Sequence, residues 1–345
     1  MSRTAIVLFN LGGPDSLEAV RPFLFNLFND PAIIRVPSLL RSMLAAWIAR
    51  RRAPVAREIY AQMGNRSPIL PNTEAQAAAL EQALGGAAKA FIAMRYWHPM
   101  TAETVAAVKA YAPDQVILLP LYPQYSTATT ASSFALWRDE ANRQGLAAPQ
   151  RLVCCYPTEP GFVAAAAELV GQGIAAAARQ APGAKALVVF SAHGLPKRVI
   201  DDGDPYVSQV EAGTAAIVAQ LGLQAGDWII AYQSRVGPLE WVKPATDEVI
   251  RQGARDKRAL VVFPIAFVSE HSETLVELDI EYRHLADEHG AAAYVRVPTV
   301  STHAAFIKGL ADLVNGALGR DAAIQDGSGR QACAAWRRCA CKAAA

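Results

Sequence analysis

No run of 18 or more consecutive apolar residues occurs in the 345-residue chain, which excludes a membrane-spanning helix on sequence grounds. An excess of charge of one sign is also missing. Thirty-three Lys and Arg stand against 31 Asp and Glu, so composition offers no bulk attraction to nucleic acid, and a charged partner has to meet a local patch. Cysteine is scarce and odd in number, five in all with three in the last thirteen residues, which is not the pattern of a disulfide framework. The apolar run 5–11 is too short for the core of a leader peptide and passes directly into Gly12, Gly13 and Pro14, so the cytoplasm is the expected location. What the chain does have is apolar residues, 52% against 19% charged, and that excludes disordered and collagen-like classes.

At roughly 150 residues per domain, the length implies about two domains. Short β-rich apolar runs at 5–11, 90–94, 115–119, 151–155, 186–190, 228–233, 259–263 and 292–297 alternate with Ala-rich helical stretches at 73–84, 101–111, 132–143, 161–181, 207–221, 246–253, 272–289 and 301–318. Such alternation predicts an α/β protein, and eight strands fit two four-stranded parallel sheets flanked by helices. Three segments also repeat in order. VLFNLGGP at 7–14 is similar to VVFSAHGLP at 188–196, VILLPLY at 116–122 is similar to LVVFPIA at 260–266, and 95–99 takes the place that 234–238 takes later. Two similar doubly wound domains are expected, 1–155 and 156–300, followed by a helix and cysteine-containing extension at 301–345. The ligand cleft then lies at the carboxyl ends of the strands.

The segment 263–284, FPIAFVSEHSETLVELDIEYRH, follows a strand and opens a helix. Leu275, Leu278, Tyr282 and Leu285 recur at three and four residues as its buried face, with Ser269 or Ser272 as cap. Glu270, Glu273, Glu277, Glu281 and His284 share another face. Like charges four apart each cost a helix roughly 0.2–0.5 kcal/mol, and no Lys lies among them. Solvated faces ordinarily mix both signs, so a file of oxygen and imidazole groups starting at a strand's carboxyl end suits passage of a divalent metal or of protons. His193, just after the strand 186–190 and before the turn of Gly194 and Pro196, is expected to face the same cleft, where a neutral imidazole accepts protons near pH 7. A metal-insertion or proton-abstraction site is as far as spacing alone reaches.

With these residues in place the chain resembles the ferrochelatases, which insert ferrous iron into a porphyrin to make haem. The likeness covers residues 6–318 and rests on LGGP at 11–14, RRAP at 51–54, SPI at 67–69, RYWHP at 95–99, LPLYPQYS at 119–126, FSAHGLP at 190–196, QSRVGP at 233–238 and PIAFVSEHSETLVELDIEY at 264–282. The resemblance implies a chelatase-like fold and an enzyme acting on protoporphyrin IX and ferrous iron. It makes His193 and Glu273 the essential pair, on opposite sides of the macrocycle, with His271 as helper and with Glu277 and Glu281 continuing an acidic path. Leu11, Tyr60, Arg95, Tyr96, Tyr232 and Trp241 would line the porphyrin cleft, and Arg52 and Ser67 would hold propionates. Two positions depart from the family: Gly64-Asn65-Arg66 replaces a glycine-rich turn, and Thr127 stands where animal members have Cys. His193 as base, with the ladder moving protons away, is preferred over His193 as transient iron ligand. Coproporphyrin as substrate, and noncatalytic tetrapyrrole binding on the same scaffold, stay as alternatives.

In the segment 33–52, Ile33, Ile34, Val36, Leu39, Leu40, Met43, Leu44, Trp47 and Ile48 form an apolar set flanked by Arg41 and by Arg50, Arg51 and Arg52. An amphipathic stretch with Trp and a basic end predicts peripheral contact with an anionic membrane, and in the family the equivalent lip admits the porphyrin. Near the C-terminus, Cys333, Cys339 and Cys341 follow a linker at 325–329, with Arg337 and Arg338 to favour thiolates, which suits a soft metal site. Some ferrochelatases carry a 2Fe-2S cluster on three C-terminal cysteines and one internal one. The resemblance therefore implies such a cluster here, with Cys155 or Cys154 as fourth ligand and zinc as rival occupant. No nucleic-acid partner is expected, and a homodimer is left open.

Overall fold

Every residue of the first strand, β1 (Thr4–Asn10), is buried, as befits a parallel strand covered by helices on both faces. The structure is a computed structural model that describes residues 3–235, 237, 239–319, 324–325 and 338–339. After β1 come α1 (Val20–Phe28), α2 (Ser38–Ala61), α3 (Ile69–Ala83), β2 (Ala88–Met94), α4 (Thr101–Tyr111), β3 (Gln115–Pro120), α5 (Thr130–Gln144) and β4 (Gln150–Val153). The second half runs α6 (Pro160–Gln180), β5 (Ala186–His193), α7 (Lys197–Asp201), α8 (Tyr206–Leu221), β6 (Trp228–Gln233), α9 (Thr246–Arg255) and β7 (Ala259–Phe263). A π-helix (Glu273–Glu281), α10 (Tyr282–Glu288), β8 (Ala293–Arg296), α11 (Ala304–Leu318) and a two-residue β9 (Ile324–Gln325) complete it.

All eight expected strands are present, four in each of two parallel sheets. Their spatial orders, β2-β1-β3-β4 and β6-β5-β7-β8, are the same permutation, which is what the sequence repeat predicts. The first sheet carries one strand more than expected. Leu152 and Val153 of β4 pair with Ile324 and Gln325, so β9 from the C-terminal segment joins the edge of the N-terminal sheet. The third repeat is also placed differently. Met94 bridges to Met100 just past Pro99, and Tyr232 bridges to Ala245 just past Pro244, so Pro244 rather than Pro238 is the counterpart of Pro99. Three helices lie outside the expected ones: α1, which contains a proline, α2, whose large apolar residues face outward, and α7, which has only five residues.

Among the described residues α6 is the one helix long and apolar enough to cross a membrane. It is a core helix instead. Phe162, Val163, Ala166 and Val170 are buried, and Gly173 lies so close to Val297 and Val261 that a Cβ would collide with both. Between the two sheets runs a buried polar seam. Asn10 donates to Thr73 (3.0 Å), Ser269 donates to Gln76 (2.9 Å), and Gln76 donates to the carbonyls of Val268 (2.8 Å) and Ser301 (3.1 Å). Buried amides and hydroxyls that satisfy one another in this way fix the loop 264–271 against the first sheet.

Candidate active site

Strand β5 extends three residues further than its apolar core requires, because Ser191, Ala192 and His193 keep pairing with Ala231, Tyr232 and Gln233 of β6. His193 is therefore the last residue of the strand rather than the first of the turn, and its ring projects from the sheet's carboxyl edge. The expected α-helix at 272–289 is a π-helix over its first two turns, a form that is found frequently at functional sites. Its first residue, Glu273, accepts a hydrogen bond from His193 Nδ1 at 2.9 Å. This corrects the expectation that the two flank the macrocycle, since no planar ring fits between groups in direct contact. Burial by itself would lower the imidazole pKa and raise the carboxyl's. The pairing overrides it, carrying His193 above its ordinary 6.5 and Glu273 well below its ordinary 4.5. His271, buried and stacked near Phe267, lies 3.9 Å from the same Glu273 oxygen.

Glu277 comes next along the ladder. It accepts hydrogen bonds from Ser234 N (3.0 Å) and Oγ (2.5 Å), from Gln233 Nε2 (3.2 Å) and from Tyr282 OH (2.8 Å). Burial, and then the charge of Glu273, push its pKa above the ordinary carboxylate value, the opposite direction to Glu273. Glu281 is exposed, and the file thus runs from a shielded pair to solvent. Two members leave it. Glu270 pairs with Arg296 of β8 at 2.7 Å and accepts from Thr299 N, so it is a structural ion pair, and His284 pairs with Glu288 on the surface. The compensating cation absent from the helix itself comes from β8.

The structure gathers Leu11, Tyr60 and Tyr96 in one apolar cluster with α1 and α2. Burial lifts the Tyr60 phenol pKa to about 12. Tyr232 is buried at the end of β6, and Trp241 lies over Gly194, where a Cβ would approach its ring to 3.2 Å. The polar candidates also make contacts within the protein. Arg95 Nη2 is held by Asp30 Oδ2 at 2.6 Å and Tyr96 OH by the same oxygen at 2.7 Å, so their polar ends are committed to a protein carboxylate. Ser67 is buried against Gly13, its hydroxyl accepting from Ile69 N (3.3 Å). Arg52 is exposed, above the Phe28 ring. Sequence reasoning missed Asp30, Ser234 and Gln233 as partners. Only the Asp30-Pro31 turn and the QSRVGP motif could have pointed to them.

On α2 the large apolar residues face outward. Leu39 is 74% exposed, Met43 66%, Trp47 59% and Leu40 58%, whereas Ala45, Ala49 and Ala53 face inward. Arg51 stacks over Trp47. Cys154, Cys155 and Cys339 form a buried cluster with Tyr125, and Gln209 Nε2 donates to Cys155 Sγ at 3.4 Å. Arg338 pairs with Asp202, just past the end of α7 (3.1 Å). Cys333, Cys341 and Arg337 lie outside the described residues. Among the described residues no group of three or more His, Cys, Asp or Glu side chains is arranged to hold a metal ion.

A family model described as Ferrochelatase matches residues 3–318. The chain is 51% identical over 346 residues to a ferrochelatase of Caulobacter vibrioides (strain NA1000 / CB15N), covering 99% of this chain and 98% of that one. It is likewise 51% identical to a ferrochelatase of Phenylobacterium zucineum (strain HLK1), with the same coverage, and 47% identical over 317 residues to one of Pelagibacter ubique (strain HTCC1062), covering 90% of each. In fold it is similar to SirB from Bacillus subtilis, solved with Fe3+, at a TM-score of 0.52 and 12% identity, over 92% of this chain and 96% of that one.

Proposed function

The chain belongs to the ferrochelatase family, and from that premise we propose that it inserts ferrous iron into protoporphyrin IX, releasing two pyrrole protons as the metal enters. The observation that carries the proton chemistry is the His193–Glu273 pair at the strand edge. The macrocycle lies to one side of this pair, and the imidazole nitrogen not bonded to Glu273 takes a pyrrole proton. Glu273 holds the resulting imidazolium, and His271 steadies Glu273 from behind. Glu277, cradled by Ser234, Gln233 and Tyr282, receives the proton, and exposed Glu281 passes it to water. Binding energy along the apolar cleft is available to bend the ring so that its nitrogen lone pairs leave the plane. The test is a matrix of porphyrins against divalent metals on purified protein. Haem from protoporphyrin and ferrous iron is the expected product. Faster turnover of coproporphyrin, or tight retention of haem without turnover, overturns this reading.

The outward apolar face of α2, with Arg41 and Arg50 to Arg52 around it, supports peripheral contact with an anionic membrane in the cytoplasm. The gathering of Cys339 with Cys154 and Cys155 supports the 2Fe-2S reading. Its donors would be Cys333, Cys339 and Cys341 with Cys155 or Cys154, and the cluster would supply a one-electron redox centre that staples the tail to the body.

A further inference from the structure

Asp30 is a buried carboxylate that the chemistry above does not use, and its side chain is 2% exposed. Both of its oxygens are occupied. Oδ2 accepts from Arg95 Nη2 (2.6 Å) and Tyr96 OH (2.7 Å), and Oδ1 accepts from Ala32 N (2.8 Å). The backbone carbonyl of Asp30 accepts from Ile33 N and Ile34 N, so the whole turn between α1 and α2 winds around this one residue. On the far side of the turn, Arg41 donates to Asn29 O (2.8 Å) and Ser42 to Asn29 Oδ1 (3.0 Å), which ties the first turn of α2 to the same knot. Arg95 and Tyr96 directly follow β2, a strand fixed in the first sheet along its whole length.

The α2 helix thus has polar ties near both ends: the knot of Asn29 and Asp30 at its start, and Arg57 Nε donating to Leu17 O (3.0 Å) towards its end. Between them its fully buried side chains are the methyl groups of Ala45, Ala49 and Ala53, the smallest apolar contact a side chain makes, with Ala56 packed half-buried beside them. A 24-residue helix is about 36 Å long, so a small tilt at one anchor becomes a displacement of ångströms along the rod. We propose that Asp30 is a specificity-determining positioning residue, which clamps the α2 lip to the end of β2 through Arg95 and Tyr96 and so sets which porphyrin the cleft admits. The inference rests on the reading of this cleft as the porphyrin site. It places the guanidinium of Arg95 in the wall that holds the lip, not on a substrate carboxylate.

The test compares full-length wild type with Asp30→Asn, which keeps the shape and removes the charge, and with Tyr96→Phe, which removes one of the three bonds. Porphyrin Kd is read by fluorescence, kcat with ferrous iron, and folding by circular dichroism. For Asp30→Asn, protoporphyrin binding is expected to weaken about tenfold with kcat changed less than about twofold, because the clamp touches no reacting atom. The preference for protoporphyrin over the bulkier, four-propionate coproporphyrin, measured as a ratio of kcat/KM, is expected to fall about fivefold. Tyr96→Phe should move both readouts the same way by a smaller factor, and it decides the matter if Asp30→Asn does not fold. An unchanged Kd and preference, or a loss confined to kcat, overturns the clamp. Wild type that metallates no porphyrin overturns the function instead, so the two failures are distinct.

Discussion

At the scale of single residues, the contact between His193 and Glu273 decides what pH does to this enzyme. The imidazole's pKa is raised and the carboxyl's lowered, so the pair's stabilisation is complete between the ordinary values of 4.5 and 6.5. It fades as pH rises through the raised His193 pKa, and again as pH falls through the depressed Glu273 pKa. A base must be neutral to act, so haem formation is expected to climb with pH through a midpoint above 6.5. Glu273→Gln removes the main charge that lifts the imidazole and leaves burial, which lowers it, against the smaller lift from Glu277. The His193 midpoint, followed by NMR titration, should then drop, and an unmoved or higher midpoint would contradict the pairing. His193→Ala is expected to slow metallation by roughly 10²-fold or more with folding intact by circular dichroism. Near-normal turnover would remove His193 from the mechanism.

At the scale of elements, α2 and the π-helix depart from what their sequences suggest in isolation. A helix normally buries Leu, Met and Trp and exposes Ala, and α2 does the reverse. Its inner face lies close against α1, which small residues allow, and its outer face carries exposed Leu39, Leu40, Met43 and Trp47. In flotation with anionic liposomes, Leu40→Glu/Leu44→Glu is expected to lose at least about tenfold in lipid-bound fraction relative to wild type. Equal recovery of the two, or a dimer in solution that the double variant abolishes, would point to a different occupant of that face. The π-helix places Glu273 against His193 while Glu277 reaches Ser234 on the neighbouring strand end, two contacts to a sheet edge made from one side of one helix.

At the scale of the whole molecule, the C-terminal segment closes on the body at two points. Ile324 and Gln325 extend the first sheet, and Cys339 sits against Cys154 and Cys155 beneath Tyr125. Protein purified without oxygen is expected to be reddish, to contain two irons per chain and to bleach on reduction, and Cys339→Ser/Cys341→Ser should lose the colour and the iron together. Colourless protein with one zinc, or a double variant with undiminished iron, would replace the cluster reading with another. The two halves share one strand order, yet only the second carries the histidine and the acidic file. The first contributes α2 and the Asp30 knot.

Local patterning was enough to determine the eight strands and most of the helices between them, because a parallel strand buried on both faces must be a continuous apolar run and an Ala-rich helix must carry its period, whereas α2, which turns its large apolar residues outward, does not show one. An imidazole at a strand end and uncompensated carboxylates four apart are likewise visible in the sequence, whereas the choice of His193 and Glu273 among them came from the family resemblance. Contacts between distant segments are not legible in this way. That Glu270 belongs to Arg296, Arg95 to Asp30 and Thr127 to Asp204 depends on side chains 26, 65 and 77 residues apart meeting in space. The two-residue β9 exists only because β4 offers it an edge. Whether His193 and Glu273 oppose or touch each other was likewise beyond the sequence, because it depends on where a π-helix sets its first residue against the end of a strand, a matter of packing rather than of period.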